Sequence, residues 1–215
     1  EEALYKVLKE MITASKNIRF EGDGYSDEWK EEAMRRGLTN ISHVPEAIMR
    51  FNDSQSREVL IGENIFNENE LICRIEVELE KFTKKVQIES RVLGDLAINH
   101  IVPTAVIYQN RLLENLRGLR ETFSQVEYEM LGADRRELVK EIQFRILEIK
   151  QLVREMTEAR RISNRLTSQV EKAYSYEEKV RPYMEQIREH IDHLELEIDD
   201  EIWPLPKYRE LLFTK

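Results

Sequence analysis

Side chains suited to chemistry are sparse in this chain. His190 and His193 stand three residues apart beside Asp192, which on a helix puts both imidazoles on one face and offers two nitrogen ligands to a metal ion. No further ligand clusters with them, so a solvated or interface role is the better reading. The run Glu195 to Glu201 is acidic enough for calcium but lacks the central glycine and spaced oxygens of a calcium loop. Leu196 and Ile198 interrupt it as they would a charged helix face. Gly22-Asp23-Gly24 matches a nucleotide fingerprint only in its first three residues, with no framing strand and helix of the required lengths, and reads as a structural turn. Arg154, Arg160, Arg161 and Arg165 form a basic patch, yet Glu155 and Glu158 sit among them in pairing positions, as on a solvated face. Cys73 has no sequence neighbour that would activate a thiolate and reads as a helix-packing residue. His43 and His100 are isolated, and neither a Walker loop nor a nucleophile elbow is present. No catalytic, cofactor-binding or metal-binding residue is therefore assigned.

The elements that carry these residues are helices. Leu4, Val7, Leu8, Met11 and Ile12 form one apolar face from Glu2 to Ser15, and the opening EEALYKVLKEMI reads as mid-helix, as in a piece of a longer polypeptide. Ile18 to Phe20 is a short extended candidate, and Gly22 and Gly24 are expected to supply positive φ angles. Ser26 caps a second helix with Asp27 and Glu28 in its first turn, and Gly37 stops it. Pro45 opens a short helix through Arg50, and residues 52–66 read as further short helical pieces around Gly62.

From Asn67 the apolar periods lengthen. Asn67 and Glu70 make a capping box for a helix that, continuous to Val102, runs roughly 50 Å, with Pro103 kinking or ending it. Val106 to Leu119 continue the pattern to Gly132, expected as a left-handed stop, and Asp134 with Glu137 forms the next capping box. A second long stripe runs from Leu138 through Ile146 to Val170. A third opens at Ser175 or Pro182 and runs from Val180 to Ile202, ended by Trp203-Pro204-Leu205-Pro206. Helices of this length need tertiary packing, so the stripes must face one another or a neighbour. The expected fold is all-α: an elongated bundle of three long antiparallel helices with a compact cap of short N-terminal helices, 1–66 packed on 67–215. The apolar C-terminal segment, with Tyr208, Leu211, Leu212 and Phe213, docks either on its own bundle or on another part of a larger protein.

Composition agrees. Of 215 residues 35% are charged and only seven are Gly and five Pro, as in long solvated helices, and eight Tyr and seven Phe supply core. The net charge of -9 repels phosphate polymers and anionic membranes, which disfavours nucleic acid as a partner. One cysteine allows no internal disulfide, and no window is apolar enough for a membrane span or a signal peptide, so a cytoplasmic setting is expected.

Three segments in order resemble the C-terminal region of type III glutamine synthetases, the large bacterial form. They are Gly22-Asp23-Gly24-Tyr25-Ser26-Asp27-Glu28-Trp29 with EEAMRRGL, then Ile101-Val102-Pro103-Thr104-Ala105-Val106-Ile107-Tyr108-Gln109, and Trp203-Pro204-Leu205-Pro206-Lys207-Tyr208-Arg209-Glu210-Leu211-Leu212-Phe213. Asn52 to Glu68 carries no family motif. The resemblance implies a parent enzyme that joins ammonia to glutamate through a γ-glutamyl phosphate made from ATP, with divalent metal (Mg or Mn) bound between subunits of a double-ring homo-oligomer. Its catalytic residues belong to an upstream domain and match nothing here. The chain is then a noncatalytic helical appendage whose partners are its own upstream catalytic domain and neighbouring subunits. Gly22, Gly24, Trp29, Gly37, Pro103, Tyr108, Trp203, Pro204, Pro206, Tyr208 and Phe213 are its expected structural or interface residues. A free-standing helical-bundle or coiled-coil adaptor is the alternative.

Overall fold

The computed structural model describes residues 2–212, so Phe213 lies outside the described residues. Every regular element among them is helical. The chain divides into two compact units, Glu1–Ser42 and His43–Lys215.

The first unit holds α1 (Glu2–Ala14) and α2 (Asp27–Arg35). Ser26 caps α2 by accepting a hydrogen bond from the Trp29 amide at 3.3 Å, as its sequence position predicts. Gly37, at φ 69°, turns the chain out of the helix in the left-handed conformation open to glycine. Two local expectations are corrected. Lys16–Ile18 is a 3-10 turn, so Ile18 does not begin an extended segment. Neither Gly22 nor Gly24 has positive φ; among the described residues only Gly37 and Asn64 do. The Gly22-Asp23-Gly24 turn is held by Asp23, whose side chain accepts from the Tyr25 amide at 2.9 Å. A Cβ on Gly22 would lie 2.7 Å from the Phe20 ring, which leans on Trp29 at 4.9 Å between centroids, so a larger residue there would make that ring shift. Arg36 ties the turn region to α2 by donating to the carbonyls of Asn17 and Arg19 and pairing with Glu32 at 2.5 Å.

The second unit starts with α3 (Val44–Met49), with Pro45 at its N-terminal end, and α4 (Ser54–Gly62). Ile48, Met49, Leu60, Ile61 and Phe66 pack over Leu71, Ile75 and Leu79 at the start of α5 (Glu68–Leu96). The Asn67–Glu70 capping box is present in full. Pro103 neither ends nor breaks this helix. Ala97–Ile101 forms a π-turn in which the Val102 amide reaches back to the Ala97 carbonyl, and α6 (Val102–Thr122) continues directly. A proline ring clashes with the carbonyl one α-turn back and brings no N–H; the widened turn moves that carbonyl and leaves no donor missing. The same device recurs later. α9 (Gln169–Ser175) passes through a π-turn, Tyr176–Val180, into α10 (Arg181–Glu197), with Pro182 again second after the turn.

Between these lie α7 (Gln125–Leu131) and α8 (Ala133–Ser163). The sequence pattern is corrected at three joints. The helix after Pro103 stops at Thr122, not Gly132, because Ser124 and Glu127 form an unforeseen capping box that starts α7. Gly132 has φ -95° and is no left-handed stop; it caps α8 in place of the expected Asp134–Glu137 box. Its lack of a side chain serves close approach, since a Cβ would stand 3.0 Å from the Tyr128 carbonyl and 3.1 Å from Leu116. The stripe read through to Val170 is cut after Ser163, and Ser168 caps the third run by accepting from the Glu171 amide, earlier than Ser175 or Pro182.

Cross-helix bonds set the directions. Gln109 Nε2 donates to the Val139 carbonyl at 3.1 Å and Gln87 Nε2 to Asn164 at 3.3 Å, so α8 runs antiparallel to α5–α6. Ser163 and Ser175 hydroxyls meet at 2.8 Å and Arg145 lies 3.4 Å from His190, so α9–α10 returns antiparallel to α8. Ile142, Ile146, Ile149 and Met156 of α8 are buried with Ala97, Ile101, Ala105, Tyr176, Val180, Ile187 and Leu194. Trp203 joins this core, and Lys207 Nζ donates to the Glu195 carbonyl at 2.8 Å, so the segment after α10 docks on its own bundle before the last turn, α11 (Tyr208–Leu211). Pro204 and Pro206 are exposed beside it, and Tyr108 packs half-buried on the same core.

Ile146 is 4% exposed, so Ile146→Ala is expected to cost about 2–5 kcal/mol in urea unfolding, with the m-value unchanged. A loss below about 1 kcal/mol would put the side chain outside the core.

Candidate functional site

The most highly organised polar groups lie on and around the second π-turn. Glu177 is a carboxylate with a side-chain exposure of only 6%, and it does not go unpaired. Arg181, one helical turn on, donates to both its oxygens at 3.0 and 3.2 Å. His43 Nδ1, at the start of α3, lies 3.0 Å from Oε1. A buried charge with two partners is held in place more than it is made reactive, and truncating it would strand a guanidinium. The i, i+4 spacing of Glu177 and Arg181 was readable in the sequence; the burial was not, because it depends on the π-turn, and His43 comes from 134 residues away. Neighbouring Tyr176 is fully buried and its hydroxyl donates to Asn164 Oδ1 at 2.8 Å. Burial pushes that phenol above its ordinary range.

His190 and His193 gain no further ligand, and among the described residues no group of three or more His, Cys, Asp or Glu is placed to hold a metal ion. His190 meets the ring of Phe144 edge-on at 6.0 Å and accepts from Arg145, itself paired with Glu141 at 2.7 Å. Burial, then the Arg145 charge, pushes the His190 imidazole below its usual range. In the acidic run, Ile198 is buried and Asp199 accepts from the Glu201 amide and pairs with Arg111 at 3.4 Å, which ties the loop to α6. Arg161 pairs with Glu158 at 2.6 Å, as the solvated-face reading requires, and Arg154 donates to the Lys150 carbonyl at 3.1 Å. Cys73 is corrected: it is exposed, on the side of α5 away from Leu71 and Ile75, and packs no helix.

A groove of about 390 Å³ runs between α3, α5 and α10. Its floor is Val44, Ile48, Phe82, Val86 and Met184, and its charged residues, Glu78, Lys81, Lys85, Glu89 and Arg181, pair along their own helices. The lining holds Lys and Glu side chains but no Ser, Thr, Cys or His. The described residues therefore fit neither a divalent metal nor a nucleotide-phosphate loop, and no chemical step is derived through either.

Packed helices and a C-terminal segment docked through Trp203 and Lys207 define an all-helical domain. Its family is shown by comparison: residues 3–120, more than half the chain, match the model of the glutamine synthetase C-terminal domain, and the chain belongs to that family. It is 71% identical over 215 residues to a glutamine synthetase of Bacteroides fragilis, a match that covers 100% of this chain and 30% of that protein. With a type-3 glutamine synthetase of Dictyostelium discoideum it shares 29% identity over 219 residues, covering 99% of the chain and 29% of the relative. A glutamine synthetase of Butyrivibrio fibrisolvens is 32% identical over 115 residues, 54% of the chain. The chain thus spans less than a third of the length of these relatives. No helix among the described residues is long and apolar enough to cross a membrane.

Because burial holds the His190 imidazole below the ordinary histidine value of about 6.5, the unfolded chain takes up a proton near that pH that the folded protein refuses. Its contribution to stability is therefore whole above pH 6.5 and falls as the pH drops through that value. His190→Gln is expected to flatten the decline of unfolding free energy between pH 7.5 and 5.5; an unchanged slope would remove His190 as its source.

Proposed function

We propose that this chain is the C-terminal helical accessory domain of a type III glutamine synthetase, and that the parent enzyme makes glutamine from glutamate, ammonia and ATP with a divalent metal. Within it the domain performs no catalysis and serves assembly. The observation that carries this reading is a likeness at 71% identity over the full chain to under a third of a synthetase. A chance likeness of a free-standing adaptor would not cover every residue.

The physical support for an assembly role is α1. Leu4, Tyr5, Val7, Leu8, Met11 and Ile12 lie at helical spacing and are all exposed, and α1 buries none of its residues. A stripe of this kind marks a surface made to be covered. In this reading its cover is the upstream catalytic domain or a neighbouring subunit of a double-ring homo-oligomer in the cytoplasm. Gly22, Trp29, Pro103 and Trp203 then act as shape-setting residues and not as contacts with substrate.

Sedimentation velocity of the full-length parent decides the matter. Leu8→Glu is expected to shift the enzyme toward smaller species, with a fall in ligase activity that tracks the loss of assembly. Intact assembly together with an altered response to nitrogen metabolites would favour a regulatory surface instead.

A further inference from the structure

Arg91 on α5 and Arg160 on α8 are brought to facing positions by the helix pairing, and neither forms an ion pair among the described residues. The pairing is fixed by Gln87 and Asn164, whose side chains bond at 3.3 Å across the two antiparallel helices. Arg91 lies four residues beyond Gln87 and Arg160 four residues before Asn164, so both arginines sit one turn further along the same seam. The next turn confirms the register, since a Cβ on Gly94 would stand 3.5 Å from both Met156 and Val153. The two guanidinium charges act on each other, and Arg160 is partly buried.

Among the described residues neither arginine has an ion-pair or side-chain hydrogen-bond partner. Arg160 has Met156, Thr157, Ser163 and Asn164 at its helical neighbour positions, none of them acidic. Asp95, the carboxylate one turn from Arg91, accepts from Asn99 at 2.6 Å. In a chain with 42 acidic and 33 basic residues, two facing cations that form no ion pair among the described residues run against composition. Like charges so placed destabilise the fold unless a bound anion offsets them. Polar groups complete the setting: Asn164 and Gln87 flank the Tyr176 hydroxyl, which is fixed by the π-turn.

We propose that Arg91 and Arg160, held in register by the Gln87–Asn164–Tyr176 hydrogen bonds behind them, form a binding site for a phosphate-class oxyanion. Two guanidinium forks presented from different helices suit a tetrahedral acceptor better than a planar one. A phosphate carries close to two negative charges near neutral pH and cancels both cations, whereas one carboxylate leaves a residual positive charge.

The test is the melting temperature of the intact chain at pH 7.5, titrated with inorganic phosphate, AMP, acetate or chloride at equal ionic strength. Phosphate is expected to raise it in a saturable way that chloride and acetate do not reproduce. Arg91→Gln and Arg160→Gln should each weaken the apparent affinity roughly tenfold, and Arg154→Gln, on the solvated side of α8, should leave it unchanged. An AMP response above that of phosphate assigns the phosphoryl group to a nucleotide, and an equal or smaller one assigns free phosphate. A second readout needs no ligand: in phosphate-free, low-salt buffer exposed Arg91→Gln should melt no lower than wild type, because it removes a repulsion. A phosphate response no greater than that of chloride, or equal responses of Arg91→Gln and Arg154→Gln, would overturn the site. So would a lower melting temperature of Arg91→Gln without ligand, which would mean that the guanidinium is already satisfied within the protein.

Discussion

The second unit depends on the burial of one helix, α8, along two flanks. Ile142, Ile146, Ile149 and Met156 serve both α5–α6 and α9–α10, so a defect in α8 reaches both seams. A helix of 31 residues is not held by propensity alone, and the energy that orders it comes from this shared apolar stripe. Each flanking run must present an unbroken stripe to α8, and each contains a proline. The two π-turns reconcile these demands. Leu93, Ala97, Ile101 and Ala105 recur at steps of four, which in an ideal α-helix of 3.6 residues per turn would carry the stripe progressively round the axis. One widened turn absorbs the drift and accommodates Pro103 as well. Tyr176, Val180 and Met184 repeat the spacing around Pro182.

The π-turns also place the polar groups. A wide turn brings an extra residue to the buried side, and in the second turn both Tyr176 and Glu177 are buried together. Neither is left unsatisfied: the phenol reaches Asn164, and the carboxylate holds Arg181 and His43. Among the described residues no buried side-chain nitrogen or oxygen lacks a partner. Complete satisfaction gives these groups a holding role, since a reactive site keeps at least one polar group available to a ligand.

What the sequence made legible follows the range of the forces involved. Caps are local, and Ser26, Asn67, Pro45 and Gly37 were each recognisable from residue type and spacing. The all-helical fold came from stripes of apolar residues, which average over many positions, whereas the apolar C-terminal segment signalled docking but left its own bundle and another part of a larger protein both open. The failures fall where two local signals compete. Gly132 is a reasonable left-handed stop until the fold shows it against Leu116, and the cap signal of Ser124, three residues before Glu127, is masked by the apolar pattern that runs through it. The break after Ser163 is hidden because Leu166 and Val170 keep helical phase with the stripe before them. Cys73 was assigned to packing by residue type, yet its neighbours Leu71 and Ile75 own the buried side of that helix.

The polar sites were less legible than the fold for a reason of geometry. Glu177 with His43, and Arg91 with Arg160, come together only across helix seams, and a seam fixes which residues meet only once the register is known. The sequence view grouped Arg160 with Arg161 because they are adjacent, but successive residues on a helix point about 100° apart. Arg161 turns to Glu158 and solvent, while Arg160 turns to α5 and meets a second cation. Two arginines that look alike in sequence therefore differ in electrostatic circumstance: one is neutralised by its own helix, and the other faces a like charge across the seam.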